Sequence, residues 1–176
     1  MTVKLLLTSF QTWLPHQGSN SSDDLLGLMT TQTLSGVALT FLRKLPVDVE
    51  LASQQAIAQI EALHPHWVVC CGMAESRSQL TIESNACWGD RQLRPSLNLQ
   101  LLLHSLKNTQ ISHDAGKFVC EGLYFRVLSY FEAQGLPQSC IFVHVPILTA
   151  ANSSEILQDF WQLIANLSQI ENQKHL

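Results

Sequence analysis

Trp67-Val68-Val69-Cys70-Cys71-Gly72 is a continuous apolar run closed by glycine. A strand reads this way when both of its faces pack against other elements instead of water, as in the middle of a parallel sheet. The run therefore predicts a central strand, and the segments on either side supply its neighbours. Just before it, Glu50–Leu63 places Ala56, Ile57, Ile60 and Leu63 at helical spacing and stops at His64-Pro65. Earlier, Val3–Thr8 and Val37–Leu42 read as strands. Between them a helix opens at Asn20, carries Asp23 and Asp24 in its first turn, lines up Leu25, Leu26, Leu28 and Met29, and is expected to stop at Gly36.

Beyond the central run, Ser78–Trp88 reads as one strand of imperfect alternation, and Leu97–Leu106 predicts a helix. Val119, Leu123, Val127, Tyr130 and Phe131 form another helical face, closed by Gly135 with Pro137 past it. Cys140–Val145 is strand-like. Asn152-Ser153-Ser154-Glu155 has the pattern of a capping box, opening a last helix whose buried face is Ile156, Phe160, Trp161, Ile164 and Leu167. Strands alternating with helices predict an α/β fold: a three-layer α/β/α sandwich with a mostly parallel central sheet, in a single domain over residues 1–176.

The composition narrows the function. The chain has 176 residues, 46% of them apolar, enough for one substantial core. Only 14% are charged, below the usual quarter or so, so the surface is largely uncharged polar or partly covered, as a homo-oligomer would cover it. With a formal charge of −4 and no basic block, nucleic acid and anionic membrane are not expected partners. The N-terminal apolar run is too short for a signal peptide and no segment is long enough to span a bilayer, so the chain reads as cytoplasmic. The seven histidines (His16, His64, His66, His104, His113, His144, His175) lack metal-ligand spacing, apart from a His64-Pro65-His66 pair expected in a surface turn. No metal or organic cofactor is expected.

Three residues carry chemistry. Cys120 follows Asp114-Ala115-Gly116-Lys117-Phe118-Val119 and sits where a turn becomes a helix. Free N–H groups and the helix dipole there favour a thiolate and offer a site for an oxyanion. The other four cysteines (Cys70, Cys71, Cys87, Cys140) form no Cys-x-x-Cys and read as reduced core thiols. His144 lies near the end of the Cys140–Val145 strand, two residues before Pro146, placed to serve as base for a thiol. Glu83, in Leu80-Thr81-Ile82-Glu83, supplies an acid that would orient the imidazole. Each residue read alone is more often structural: a core thiol, a histidine bonded to a carbonyl, a solvated glutamate.

Read together, the segments resemble pyroglutamyl-peptidase I, the cysteine peptidases of family C15 that remove an N-terminal 5-oxoproline. Ala115-Gly116-Lys117-Phe118-Val119-Cys120 is similar to that family's Ala-Gly-Thr-Phe-Val-Cys, and Phe142-Val143-His144-Val145-Pro146 to its Phe-Ile-His-Val-Pro. Leu5–Phe10 looks like its first strand, Asn20-Ser21-Ser22 like its Asn-Pro-Ser, Gly72–Arg77 like its Gly-Gln-Ala-Gly-Gly-Arg, and Thr81-Ile82-Glu83 like its Thr-Pro-Glu. The resemblance implies Cys120 as nucleophile, His144 as general base and then acid, and Glu83 as orienting acid. It implies a lactam pocket built from Phe10, Trp13, Met73, Phe118 and Val119, with Met73 where the family has glutamine. Its expected partner is a small peptide with a blocked N-terminus.

The chain also departs from the family. Ser84 replaces an arginine, Trp88 replaces an asparagine, and the interval from Glu83 to Cys120 is far shorter than the family's. That interval supplies the family with a substrate loop and an arginine at the oxyanion; Arg91 is the nearest match for it. The alternative to a peptidase is a binding module or small-amide hydrolase on the same fold.

Overall fold

The computed structural model describes residues 2–174, so His175 lies outside the described part of the chain. In chain order the elements are β1 (Val3–Phe10), α1 (Ser21–Met29), β2 (Val37–Leu45), α2 (Val49–Leu63), β3 (Trp67–Met73), β4 (Leu80–Glu83), β5 (Ala86–Trp88), β6 (Arg91–Leu93), β7 (Thr109–Ser112), α3 (Val119–Ala133), β8 (Cys140–Val145) and α4 (Ser153–Gln173). Six strands form one sheet in the order β2-β1-β3-β8-β4-β7, while β5 and β6 pair as a separate hairpin. β2, β1, β3 and β8 run parallel; β4 runs antiparallel to β8 and parallel to β7.

The central run behaves as its composition requires. In β3, Trp67 to Gly72 are buried, and all of β8 is buried. Because side chains alternate along a strand, Val69, Cys71, Ile141 and Val143 pack into a core shared with α1 and α4. Val68, Cys70, Cys140 and Phe142 face the other way, into a core shared with α2 and α3. Helices thus cover both faces, and the three-layer, mostly parallel sandwich is borne out.

Local differences from the sequence reading have identifiable causes. Leu97–Leu106 is not an α-helix: one 3₁₀ turn spans Leu99–Leu101, and Ser105 takes a left-handed φ of 71°. Asn166 of α4 donates its side-chain amide to the carbonyls of Leu102 and His104, both at 2.9 Å. Those are acceptors that helix propagation would have used. Leu99 and Leu102 enter the α1/α4 core directly, so their spacing reflects packing and not helical periodicity.

Gly36 does not stop α1, which ends at Met29; with φ of 76° it turns the chain into β2 instead. The Ser78–Trp88 segment divides into β4 and β5. Asn152 precedes α4 but does not cap it with its side chain, which accepts from Thr149 N (2.8 Å) and donates to Ile147 O (3.0 Å).

Candidate active site

β8 and β3 are register partners, with His144 opposite Gly72. Period-two alternation puts the His144 side chain on the same face as Cys140 and Phe142, which is the α3 face. Cys120 is the second residue of α3 and points down onto that position: a Cβ built on Gly72 would lie 2.6 Å from Cys120 Sγ. Thiol and imidazole therefore come from different elements to one spot. No hydrogen bond joins them in this structure; the imidazole bonds to the acid instead.

Glu83 reaches the imidazole because β4 runs against β8, pairing Thr81 with His144 and Glu83 with Phe142. His144 Nδ1 lies 2.7 Å from Glu83 Oε1, with the Glu83 side chain fully buried. Against an ionised carboxylate, Nδ1 is the donor, and in the neutral tautomer so fixed Nε2 is the acceptor. Arg77 Nη1 donates to the same Oε1 at 2.5 Å, and Thr81 Oγ1 approaches it at 3.4 Å. Burial alone would raise the Glu83 carboxyl, yet His144, the nearby Ser112 hydroxyl and Arg77 hold it below its ordinary value. It is a charged acid at neutral pH.

The thiol does not follow the sequence expectation. Burial pushes Cys120 up to about 12, the Glu83 charge and Cys70 add to the rise, and the Arg77 guanidinium opposes it. Desolvation outweighs the helix start, so the resting group is a neutral thiol that needs a base. The helix start is nevertheless free for another use: Phe118 occupies the cap position without a side-chain cap, and the first α3 backbone bond beyond it runs from Gly122 N to Phe118 O. The N–H groups of the first turn are thus available to an oxyanion.

Cys120 opens onto a cavity of about 220 Å³ whose walls include Phe10, Trp13, Met73 and Val119. Phe118 stands beside it, its ring 5.0 Å from that of Trp13; both rings are about half exposed, at 51% and 54%. Five of the residues expected at a ring pocket therefore gather here. Arg91 does not. Its guanidinium pairs with Glu132 at 2.5 Å and lies over the Phe125 ring, farther along α3 from Cys120.

The cavity also contains groups that the motifs did not single out. Glu75 lines it, its carboxylate held by Gln17 Nε2 (2.7 Å) and His16 Nε2 (3.0 Å). Gln17 Oε1 in turn accepts from the backbone N–H groups of Trp13 and Leu14, fixing the first loop. In sequence, loop 11–20 is marked only by its Gln, Gly, Ser and Asn content, which signals a loop and not these contacts. Among the described residues, no three His, Cys, Asp or Glu side chains gather as a metal site requires.

An α/β/α sandwich with a thiol at a helix start, an imidazole at the end of a neighbouring strand and a carboxylate behind it has the layout of a cysteine hydrolase. Comparison with known proteins narrows that class. The chain is 24% identical over 172 residues to pyrrolidone-carboxylate peptidase 2 of Streptococcus pneumoniae, covering 83% of this chain and 79% of that protein. It is 27% identical over 173 residues to a pyrrolidone-carboxylate peptidase of Vibrio vulnificus, covering 82% and 79%. Among solved structures, the pyrrolidone carboxyl peptidase from Thermococcus litoralis has a TM-score of 0.83, 18% identity, and coverage of 99% of this chain and 96% of that one. Pyroglutamyl peptidase I from Bacillus amyloliquefaciens gives 0.82 at 16% identity, with 96% of each chain covered. No protein-family model matches the chain. The resemblance read from separate motifs thus extends across most of the chain in sequence and nearly all of it in fold.

Proposed function

We propose that this protein is a cysteine peptidase that removes an N-terminal 5-oxoprolyl residue from peptides, acting as one domain in the cytoplasm. The observation that carries the reading is the buried 2.7 Å contact between His144 and Glu83, beside a Cys120 thiol that opens onto a ring-sized cavity. In the reaction, His144 Nε2 takes the Cys120 proton as Sγ attacks the amide carbonyl. The negative charge that forms on the carbonyl oxygen is met by N–H groups at the start of α3. Collapse breaks the C–N bond, and the imidazolium returns its proton to the departing amine. Water, deprotonated by His144, then cleaves the thioester, releasing 5-oxoproline and restoring the thiol.

Phe10, Trp13, Met73, Phe118 and Val119 form the walls for a flat neutral ring, where apolar contact does most of the binding. Cys120→Ala is expected to abolish release of a fluorophore from a pyroglutamyl amide. His144→Ala should reduce kcat by about 10²–10⁴-fold, the usual range for loss of a general base. If the wild-type protein releases none, the peptidase reading fails.

The raised thiol favours a second reading, a non-catalytic module of the same fold. Iodoacetamide separates the two: a catalytic Cys120 is protected by bound 5-oxoproline, and a relic is not. The exposed Trp88 ring and the low charge content suit a homo-oligomer, which light scattering would detect.

A further inference from the structure

Arg77 has a set of contacts that the triad alone does not require. It lies between β3 and β4, is 22% exposed, and donates to three acceptors from two separated segments. Nη1 reaches Glu83 Oε1 at 2.5 Å and also contacts Thr81 Oγ1, both on β4. Nη2 reaches the carbonyl of Asp114 at 2.8 Å, in the loop that leads into Cys120. That loop is itself shaped by a hydrogen bond from Gly116 N to Asp114 Oδ1 (3.0 Å), where Gly116 takes a φ of 90°. One planar guanidinium thus ties the orienting acid to the approach of the nucleophile. A fork of fixed geometry can do this where a single ammonium cannot.

We propose that Arg77 is a positioning residue that locks Glu83 in register with His144, anchors the loop before Cys120, and supplies the cationic charge that steadies the site as the thiol ionises. The proposal rests on the Cys120, His144 and Glu83 reading. The charged and titratable groups around Glu83 come from three sides: His144 on β8, Cys120 and Tyr124 on α3, and Arg77 from the β3–β4 loop. Arg77 is the one cation in that set that does not depend on taking up a proton near neutrality. With Glu83 fully buried, its charge is tolerable only while those donors stay in place.

The test uses Arg77→Gln, which removes the charge and leaves one shorter amide donor, and Arg77→Lys, which keeps charge but loses the fork. Arg126→Ala, at the exposed pair with Glu50, serves as control. Iodoacetamide labelling of Cys120, followed by mass spectrometry at pH about 9, reads the thiolate without needing a substrate. Arg77→Gln is expected to slow labelling by about tenfold, the effect of one pKa unit. Arg77→Lys should label near the wild-type rate. On a pyroglutamyl amide, both variants should lose kcat by about 10–100-fold, as removal of a supporting partner typically does, with KM within about threefold.

A merely structural arginine gives a different result: loosening exposes the thiol, and labelling becomes faster. Faster or unchanged labelling in Arg77→Gln overturns the proposal. Where the wild type cleaves no pyroglutamyl amide, the peptidase reading fails, and the labelling comparison still decides the role of Arg77. Circular dichroism establishes that each variant is folded.

Discussion

A Cβ added to Gly72 would stand 2.6 Å from Cys120 Sγ and 2.9 Å from Phe142 Cζ. The glycine is therefore required by the space that the thiol and the Phe142 ring occupy, and not by its backbone angles. Gly72→Ala is expected to displace both groups, destabilising the fold by about 1–3 kcal/mol in denaturant unfolding and lowering kcat in the same preparation. The thiol itself gives a second prediction. Because burial holds Cys120 at about 12, its alkylation rate in the free protein should keep climbing well above pH ~8.5, where an ordinary thiol levels off. A plateau below that pH would mean a preformed thiolate. Cys120, His144 and Glu83 are legible in the sequence because each interrupts an apolar pattern with a reactive group. Arg77 ends a matched motif, but its role is not legible, because its partners are Glu83 and the Asp114 carbonyl, which only tertiary structure brings near.

At the level of elements, α3 is held in place from above as well as below. A Cβ on Gly122 would meet Val49 Cγ2 at 2.6 Å and Trp88 Cζ3 at 3.2 Å, so α2 and the β5–β6 hairpin both close onto the helix that carries Cys120. Glu121 strengthens the second contact by accepting from Cys87 N at 2.9 Å. Gly122→Ala should cost about 1–3 kcal/mol by overpacking. Adding Val49→Ala should recover part of it, a coupling that a double-mutant cycle measures. The core strands and four helices follow from periodicity, since their burial is written in every second or every third to fourth residue. Leu97–Leu106 shows where that logic stops. Leu99 and Leu102 are buried as a helix would bury them, but Asn166 of α4 takes the carbonyls of Leu102 and His104, and Asp159 of α4 binds the N–H groups of Lys107 and Asn108 just beyond, in place of a helical ladder. Side chains from a distant helix leave no mark on the local pattern. The same holds for β7, whose place at the sheet edge depends on pairing with β4.

For the molecule as a whole, acid should be the destabilising condition. Asp23 is lowered despite burial by its bonds to Arg43 and Ser9, and Glu83 and Glu171 are lowered likewise by their partners. A carboxyl whose folded value lies below its unfolded one contributes stability that is complete above the unfolded value and is lost as pH falls through the folded value. The melting temperature is thus expected to stay level from neutrality to about pH 5 and to fall below about pH 4, the usual carboxylate range. Asp23→Asn should reduce that acid dependence and cost about 1–3 kcal/mol at neutral pH, a figure kept low because Arg43 is partly solvated. Calorimetry across that range checks both expectations.

The β5–β6 hairpin lies outside the six-stranded sheet, fastened to α3 while its turn at Gly89-Asp90 faces solvent. Residues added at that turn would re-register no strand of the main sheet and would shift neither Glu83 nor His144. For protein engineering the turn is therefore an insertion point, where added residues meet solvent and leave the main sheet undisturbed.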